Sequence, residues 1–507
     1  MTDPLYLGVD VGTTGVKAVV IDAHGTVMAT ATSPLSLSTP RPGWAEQDPE
    51  EWWSASVAAI RSVLATCAGT HVAGAHVAGP GIAGAHIAAV GISGQMHSSV
   101  FLDRNGRVIR PALLWCDGRT TAECREIEQR VGGEPRLREL VSNPALEGFT
   151  LPKVLWLRNH EPEAFRRLAT VVLAKDYIRF RLTGELATEP SDASATLMFD
   201  PVRVRWSSEI LDAVGLSETI LPTVGGSSEV LGRVTLPGAE ATGLACGTPV
   251  VGGGADNACG AAGVGVIAPG DTVASWGTSG TLLAPLAEPR VDPGLRAHTF
   301  CHVAPNVWYL MGVVLSAGGA FAWYRDQLAR DVAGRPTANM ELDEEAASVP
   351  PGAGGVTFLP YLQGERTPHR NAEARGAFLG LNLAHSRAHL TRAVLEGVCF
   401  ALRDSLSILQ LLGLTANQLV LTGGGAQSPF VRRLLADIFG VPLVTVNCTE
   451  GPAYGAALLA AVGSGVFVDL DAAVRATVVR RTGEVPDVGA HRDYEEPYQR
   501  FRSSYRG

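Results

Sequence analysis

The residues best placed to do chemistry cluster at glycine-rich turns. The first run is Asp10-Val11-Gly12-Thr13-Thr14-Gly15-Val16-Lys17. A carboxylate ends one strand pattern, a tight turn follows, and a second strand pattern begins. Gly12 and Gly15 let backbone approach an anion closely, and the turn amides can cradle phosphate. Thr13 and Thr14 add hydroxyl donors. Asp10 repels phosphate directly, so its presence makes sense with a cation in between. Mg²⁺ takes one or two carboxylates plus phosphate oxygens and water, which suits the position. An ordinary β-hairpin would not require the Asp, both Thr and the Lys together.

Three further runs resemble the first in chemistry. Ser275-Trp276-Gly277-Thr278-Ser279-Gly280-Thr281 is a second Gly/Thr turn. By itself it is good turn chemistry, and its weight comes from pairing with the first. Thr422-Gly423-Gly424-Gly425-Ala426-Gln427-Ser428 leaves a strand pattern and enters a helix pattern, leaving room for a flat ring or a phosphate near a helix N-terminus. Gly252-Gly253-Gly254-Ala255-Asp256-Asn257-Ala258 sets a carboxylate after a glycine run. Phosphoryl transfer to an alcohol needs a carboxylate that takes the hydroxyl proton, and Asp256 suits that task. The same spacing equally fits a helix N-cap Asp.

Other chemistries lack their signatures. No Gly-Lys dipeptide occurs, so the Walker loop is missing. His491-Arg492-Asp493 is present without the Asn of a protein-kinase catalytic loop or any Asp-Phe-Gly. Neither His-Glu-x-x-His nor Gly-x-Ser-x-Gly occurs. Gly79-Pro80-Gly81-Ile82-Ala83-Gly84 has the letters of the dinucleotide fingerprint, but Pro80 and its Gly-rich flanks deny it the strand before and the helix after. It lies in a His/Gly/Ala-rich segment, 67–89, that reads as a surface insertion. His71, His76 and His86 there match no standard metal-site spacing.

The elements needed to position these turns belong to a sizeable globular enzyme. The chain has 507 residues, 46% hydrophobic and 18% charged. At roughly 150 residues per domain, two to four domains are expected. A net charge of −9 argues against a nucleic-acid or anionic-membrane partner, since both need a basic face. Lysine occurs only at Lys17, Lys153 and Lys175. No apolar run is long enough for a membrane span, and no basic segment leading an apolar one marks a secretory signal. The eight cysteines are scattered without a Cys-x-x-Cys pair and read as reduced thiols of a cytoplasmic protein.

The periodicity predicts three strands within residues 5–32, then a helix from Pro49 to about Thr66. Helical patterns follow over 119–131, 152–182 and 207–214. Strand patterns follow at Thr272–Trp276, Gly280–Ala284, Val307–Leu315, Leu419–Thr422 and Leu443–Val446. Helices are expected over His389–Leu412, Pro429–Phe439 and Ala453–Val462. Both halves therefore begin with a strand, a Gly/Thr turn and a strand, which predicts two α/β domains of related design.

Taken in order, these motifs resemble the FGGY family of carbohydrate kinases, which includes kinases of glycerol, gluconate and xylulose. The likeness runs from about residue 5 to about 465. It also covers Trp44–Pro49, Gly94-Gln95-Met96-His97, Trp115-Cys116-Asp117-Gly118-Arg119, Gly148–His160, Lys175-Asp176-Tyr177, Leu359–Pro368 and Gly376–Glu396. The resemblance implies an α/β fold of two actin/hexokinase-like (ribonuclease H-like) domains with an interdomain cleft, over 1–260 for the sugar and first phosphate loop and 261–507 for the nucleotide. It implies Asp256 as catalytic base and Asp10 as organiser of Mg-ATP, with Mg²⁺ held at Asp10 through water. ATP would be held by Gly12, Thr13, Thr14 and Lys17, by Gly277 and Thr278, and by Gly424, Gly425 and Ala426. Gln95, Met96, His97, Trp115, Asp117 and Asp256 would contact the sugar.

Glycerol-kinase-like members carry an Arg-Glu pair where Met96-His97 stand here. That difference, with Trp115-x-Asp117-x-Arg119, points to ATP-dependent phosphorylation of D-xylulose to D-xylulose 5-phosphate, in D-xylose catabolism feeding the pentose phosphate pathway. Cys116 replaces a usual Asn, and Ala255 a frequent Gly. Another sugar or polyol kinase, or a non-catalytic nucleotide- or sugar-binding regulator, are the alternatives on the same scaffold. A homodimer is the family-level expectation.

Overall fold

The computed structural model describes residues 4–70 and 87–506. The expected insertion, its histidines and the Gly79–Gly84 run lie largely outside the described residues.

The chain forms two compact units. The first gathers Met1–Ile267, Phe300–Trp308 and Glu450–Val478; the second gathers Ala268–Thr299, Tyr309–Thr449 and Val479–Gly507. A helix from far along the chain, Pro452–Gly463, belongs to the first unit.

The first unit is built on strands β1 (Leu5–Val11), β2 (Gly15–Ile21), β3 (Val27–Pro34), β4 (Ile87–Gly94), β5 (Val230–Arg233), β6 (Pro249–Val251) and β7 (Gly254–Ala255), in the order β5-β6-β4-β1-β2-β3 with β7 also on β4. β1 and β2 are antiparallel, with Asp10 opposite Lys17. β4 runs parallel to β1, β6 and β7. Every residue of β1 except Asp10 is buried, as expected for a central strand covered on both faces. Helix Pro49–Thr70 packs on β2 and β3, and helix Pro452–Gly463 on β1 and β4. The second contact is backbone to backbone: a Cβ built on Gly8 would lie 1.9 Å from the Ala453 carbonyl oxygen, and one on Gly91 2.0 Å from that of Ala456.

The second unit repeats the plan. Its sheet contains β8 (Asp271–Trp276), β9 (Gly280–Leu286), β10 (His298–Cys301), β11 (Trp308–Val314), β12 (Gln418–Gly423), β13 (Leu443–Val446) and β14 (Arg480–Thr482), in the order β10-β11-β9-β8-β12-β13-β14. β8 and β9 form the antiparallel hairpin and β12 lies parallel beside β8. Helix Arg387–Leu411 presents a long buried face to this unit's interior.

Most expected elements are present within a few residues, and Pro429–Phe439 and Leu443–Val446 coincide with their ranges. The stretch 152–182 is corrected. Helix Thr150–His160 gives way at Pro162 to a short helix, Pro162–Arg167, and then to a strand, Thr170–Val172, before helix Ala174–Thr183. The three residues Thr-Val-Val pair antiparallel with Val100–Leu102. β-Branched residues prefer that pleated surface, and the apolar spacing alone did not reveal it.

Candidate active site

The topology of the first unit brings two distant carboxylates to one place. Asp10 lies beside Ser93 in the parallel pair β1–β4, and Gly254 lies beside the same Ser93 on the other side, with Ala255 beside Gly94. Asp256 follows β7 directly. Both carboxylates therefore stand at the carboxyl ends of strands flanking β4, the usual place for ligands in open α/β sheets.

Asp256 is the first residue of helix Asp256–Gly263, and Ala255 occupies the cap position. Its Oδ1 accepts from the Asn257 backbone N–H at 2.6 Å and from the Asn257 side-chain amide at 2.9 Å. Burial pushes its carboxyl up to about 7, the Asp10 charge adds to that, and the two Asn257 bonds pull it down. Burial likewise raises Asp10 to about 6, opposed by the Ser93 hydroxyl and by Lys17. Asp10 Oδ1 is buried with no hydrogen bond of ordinary geometry.

Around this pair sit the residues expected to meet a sugar. Met96 is buried, and its sulfur accepts from the Asn257 amide at 3.4 Å. His97 adopts φ +68°, uncommon outside glycine. Its carbonyl accepts from Lys153 Nζ at 3.0 Å and Thr150 Oγ1 at 3.1 Å, and its Nδ1 lies 2.5 Å from the Ala195 carbonyl oxygen. The imidazole packs against Phe149 and Phe300. Trp115 Nε1 donates to Thr13 Oγ1 at 2.9 Å, and Thr13 Oγ1 donates to Gln95 Oε1 at 3.2 Å. The Thr13 hydroxyl, expected toward phosphate, is thus tied to two residues expected toward the sugar.

Two other expected residues have partners within the protein. Asp117 is buried; its carboxylate accepts from the Ala45 N–H at 2.6 Å and is gripped by Arg119. Arg119 also bonds Glu46 at 2.7 Å and is held between Trp44 and Trp156, at 3.7 and 4.8 Å from their ring centres. Lys17 Nζ lies 2.5 Å from Glu450 Oε2. Thr14 is exposed at the crest of the turn beside Gly12, whose N–H bonds Gly15 O at 3.0 Å. Glu450 and Asn257 were missed by sequence reasoning. So was Gln47, which joins Thr13 O, Ser36 O, Trp52 and Gln95. Its only signal was a place in the Trp44–Pro49 run.

The second unit holds a 420 Å³ cavity lined by Trp276, Gly277, Thr278, Gly318, Gly424 and Gly425 among others. That volume lies within the ~300–1,000 Å³ of small-molecule sites. The turn carbonyls are covered by the start of helix Gly318–Gln327: Gly318 N–H reaches Gly277 O at 2.8 Å and Gly319 N–H reaches Thr278 O at 2.9 Å. Gly425 is required by its neighbour, since a Cβ there would stand 2.4 Å from the Trp276 ring. Ala426 lies alongside, its carbonyl accepting from Arg432 at 2.9 Å. Asn339 and Asp343, neither of them anticipated, line the same cavity, as does Ser428 at the end of the Thr422–Ser428 run. A 630 Å³ cavity in the first unit, near Arg107, Arg110 and Arg181, contains none of the expected site residues.

No group of three or more His, Cys, Asp or Glu side chains among the described residues is arranged to hold a metal by itself. That is compatible with Mg²⁺, which binds through one or two carboxylates with substrate phosphates and water. The buried Asp10 oxygen fits such a cation.

Paired carboxylates over one strand–turn–strand unit, and a ligand-sized cavity over its repeat, define a two-domain kinase fold of the actin/hexokinase-like class. The chain matches the N-terminal domain of the FGGY family of carbohydrate kinases over residues 5–263 and the C-terminal domain over 272–464, and it belongs to that family. It is 39% identical over 512 residues to the xylulose kinase of Lactococcus lactis subsp. lactis, covering 99% of this chain and 96% of that one. It is 38% identical over 503 residues to the xylulose kinase of Escherichia coli, covering 99% and 98%. Among solved structures it is similar to xylulose kinase from Rhodospirillum rubrum, with a TM-score of 0.89 and 31% identity over 99% of this chain and 98% of that one. No helix among the described residues is long and apolar enough to cross a membrane.

Proposed function

We propose that this carbohydrate kinase transfers the γ-phosphoryl group of ATP to the terminal hydroxyl of D-xylulose, giving D-xylulose 5-phosphate and ADP. The observation that carries the reading is the placement of Asp256 and Asp10 on the two sides of Ser93, where burial and then the Asp10 charge raise the Asp256 carboxyl to about 7. A general base works best with its pKa near the operating pH. Asn257 fixes Oδ1, and Oδ2 takes the hydroxyl proton as the sugar oxygen attacks. The similarity to xylulose kinases supports xylulose as the sugar, with Met96, His97, Gln95 and Trp115 as its contacts. Asp117 contributes by fixing the turn after Trp115 through Arg119 and Ala45.

Transfer of this kind passes through a loose transition state, so positioning and charge neutralisation carry most of the catalysis. Gly277, Thr278, Gly424, Gly425 and Ala426 would hold the nucleotide, and Gly12, Thr13, Thr14 and Lys17 would face its phosphates. Asp10 would hold Mg²⁺, directly or through water. Mg²⁺, when bound, supplies positive charge to the phosphate oxygens. The scattered cysteines, without a Cys-x-x-Cys pair, fit a reducing, cytoplasmic setting.

A coupled ADP-release assay tests the reading. D-xylulose should exceed D-ribulose, L-ribulose, L-xylulose, gluconate and glycerol in kcat/KM. A higher value for any of these would displace xylulose, and nucleotide binding without ADP release on any of them would favour a regulator.

A further inference from the structure

Five charged side chains lie inside the first unit and have no part in the chemistry above. Lys175, Asp176 and Arg179 stand on helix Ala174–Thr183, and Glu189 and Asp192 on the turn around Pro190–Ala193. None of these side chains is more than 1% exposed. Lys175 Nζ lies 2.7 Å from Asp176 Oδ1 and 3.6 Å from both Glu189 Oε1 and Asp192 Oδ2. Arg179 pairs with Asp176 at 3.1 Å. Three acids face two cations, so the group is neutral when one acid keeps its proton. Asp192, whose carboxylate oxygens take no hydrogen bond, is raised well above the ordinary range by burial.

Burying charges costs several kcal/mol per ion, and apolar packing serves stability as well or better. What the group holds is therefore the informative part. The group reaches the Gly252–Asp256 segment once directly and once through Ser191. Arg179 Nη1 donates to the Gly252 carbonyl at 3.2 Å. Glu189 Oε1 accepts from Ser191 Oγ at 2.8 Å, and that same hydroxyl oxygen accepts from the Ala255 N–H at 3.0 Å. Glu189 Oε2 is fixed in turn by Ser191 N and Ser227 Oγ, both at 2.8 Å. The segment is also closely packed: a Cβ on Gly254 would stand 2.8 Å from Cys259 Sγ and 3.3 Å from Ser191 Oγ. Ala255 immediately precedes Asp256, so the relay ends one residue from the carboxylate.

We propose that Lys175, Glu189 and Ser191 form a buried relay that positions Asp256, with Ser191 as the positioning residue in contact with its strand. The proposal rests on the reading of Asp256 as the base. None of the three touches substrate; they act through the backbone of Ala255. Burial of the acceptor keeps water from competing for the Ala255 N–H, and the Glu189 charge strengthens the hydroxyl bond that receives it.

Ser191→Ala tests this, since it removes the hydroxyl with little change in volume. Displacing a reacting group by ~1 Å can cost about 100-fold in rate, so kcat should fall roughly 10- to 100-fold with the KM for ATP nearly unchanged. Amide hydrogen exchange across residues 252–257 should accelerate, while helix Arg387–Leu411 exchanges as before. On an Asp256→Ala background, Ser191→Ala should change the residual rate by less than about twofold, because the two act as one unit. Wild-type exchange across 252–257 in Ser191→Ala would overturn the proposal. So would an equal loss of rate in both backgrounds, the sign of a general structural role. Full turnover by Asp256→Ala would instead remove the base assignment, and the exchange measurement would still decide whether Ser191 holds the segment.

Discussion

Asp10 and Asp256 flank the same residue, Ser93, across two parallel strand pairs, and burial, with the charge on Asp10 adding to it, raises the Asp256 carboxyl to about 7. The two residues are far apart in sequence. The order of strands, with β4 between β1 and β7, makes them neighbours.

If Asp256 is the base, Asp256→Asn should lower kcat about 10²- to 10⁴-fold. Nucleotide binding should persist, because the 420 Å³ cavity of the second unit is untouched. Steady-state kinetics with titration calorimetry of ATP checks both parts.

The pH profile follows from the same pair. The base works deprotonated, so kcat/KM should fall as pH drops through about 7, with apparent values that belong to the coupled pair. Asp10→Asn removes the repelling charge, so whatever rate remains should show its acid limb at lower pH. An unmoved limb would count against the coupling.

Stability should run the other way. Both carboxyls have folded-state pKa values above the ordinary 3.8, so each binds its proton more tightly when folded. Their stabilising contribution is full below pH about 4 and is lost as pH rises through about 6 to 7. Asp256→Asn should therefore melt higher than the parent at pH 8 and converge with it near pH 4, as scanning calorimetry at the two pH values would record.

Lys175 is the common partner of three buried carboxylates. Burial alone would lower its ammonium, and those partners reverse the effect and keep it charged. Lys175→Met takes the cation from Glu189 and Asp192 and leaves Asp176 with Arg179 alone, and it should cost about 3–5 kcal/mol in chemical denaturation.

Two glycines should respond in opposite ways. Gly91→Ala pushes a methyl against the Ala456 carbonyl and should destabilise by about 1–3 kcal/mol or more. A Cβ on Gly424 finds its nearest neighbour, Trp276 O, 4.0 Å away, yet the residue lines the second-unit cavity. Gly424→Val should leave the melting temperature nearly unchanged and raise the KM for ATP.

The sequence by itself determined the local units. Strand, Gly/Thr turn and strand were legible twice, because a glycine turn between apolar alternations has few other uses. Asp10, Asp256, Gly277 and Gly424 stood out because their chemistry is written in adjacent residues. The helix Pro429–Phe439 could be read to the residue from its Ser-Pro start and the Gly440 that follows. Tertiary structure decided how side chains pair across the chain. It turned Thr13 toward Trp115 and Gln95, gave Lys17 to Glu450, and closed Asp117 onto Arg119 and Ala45. It also replaced part of a continuous helical pattern by the strand Thr170–Val172, which exists because Val100–Leu102 is there to pair with it. Backbone preference acts over a few neighbours and leaves its mark in spacing. The partner of a buried charge is set by which strands lie side by side, and in one chain no spacing records that.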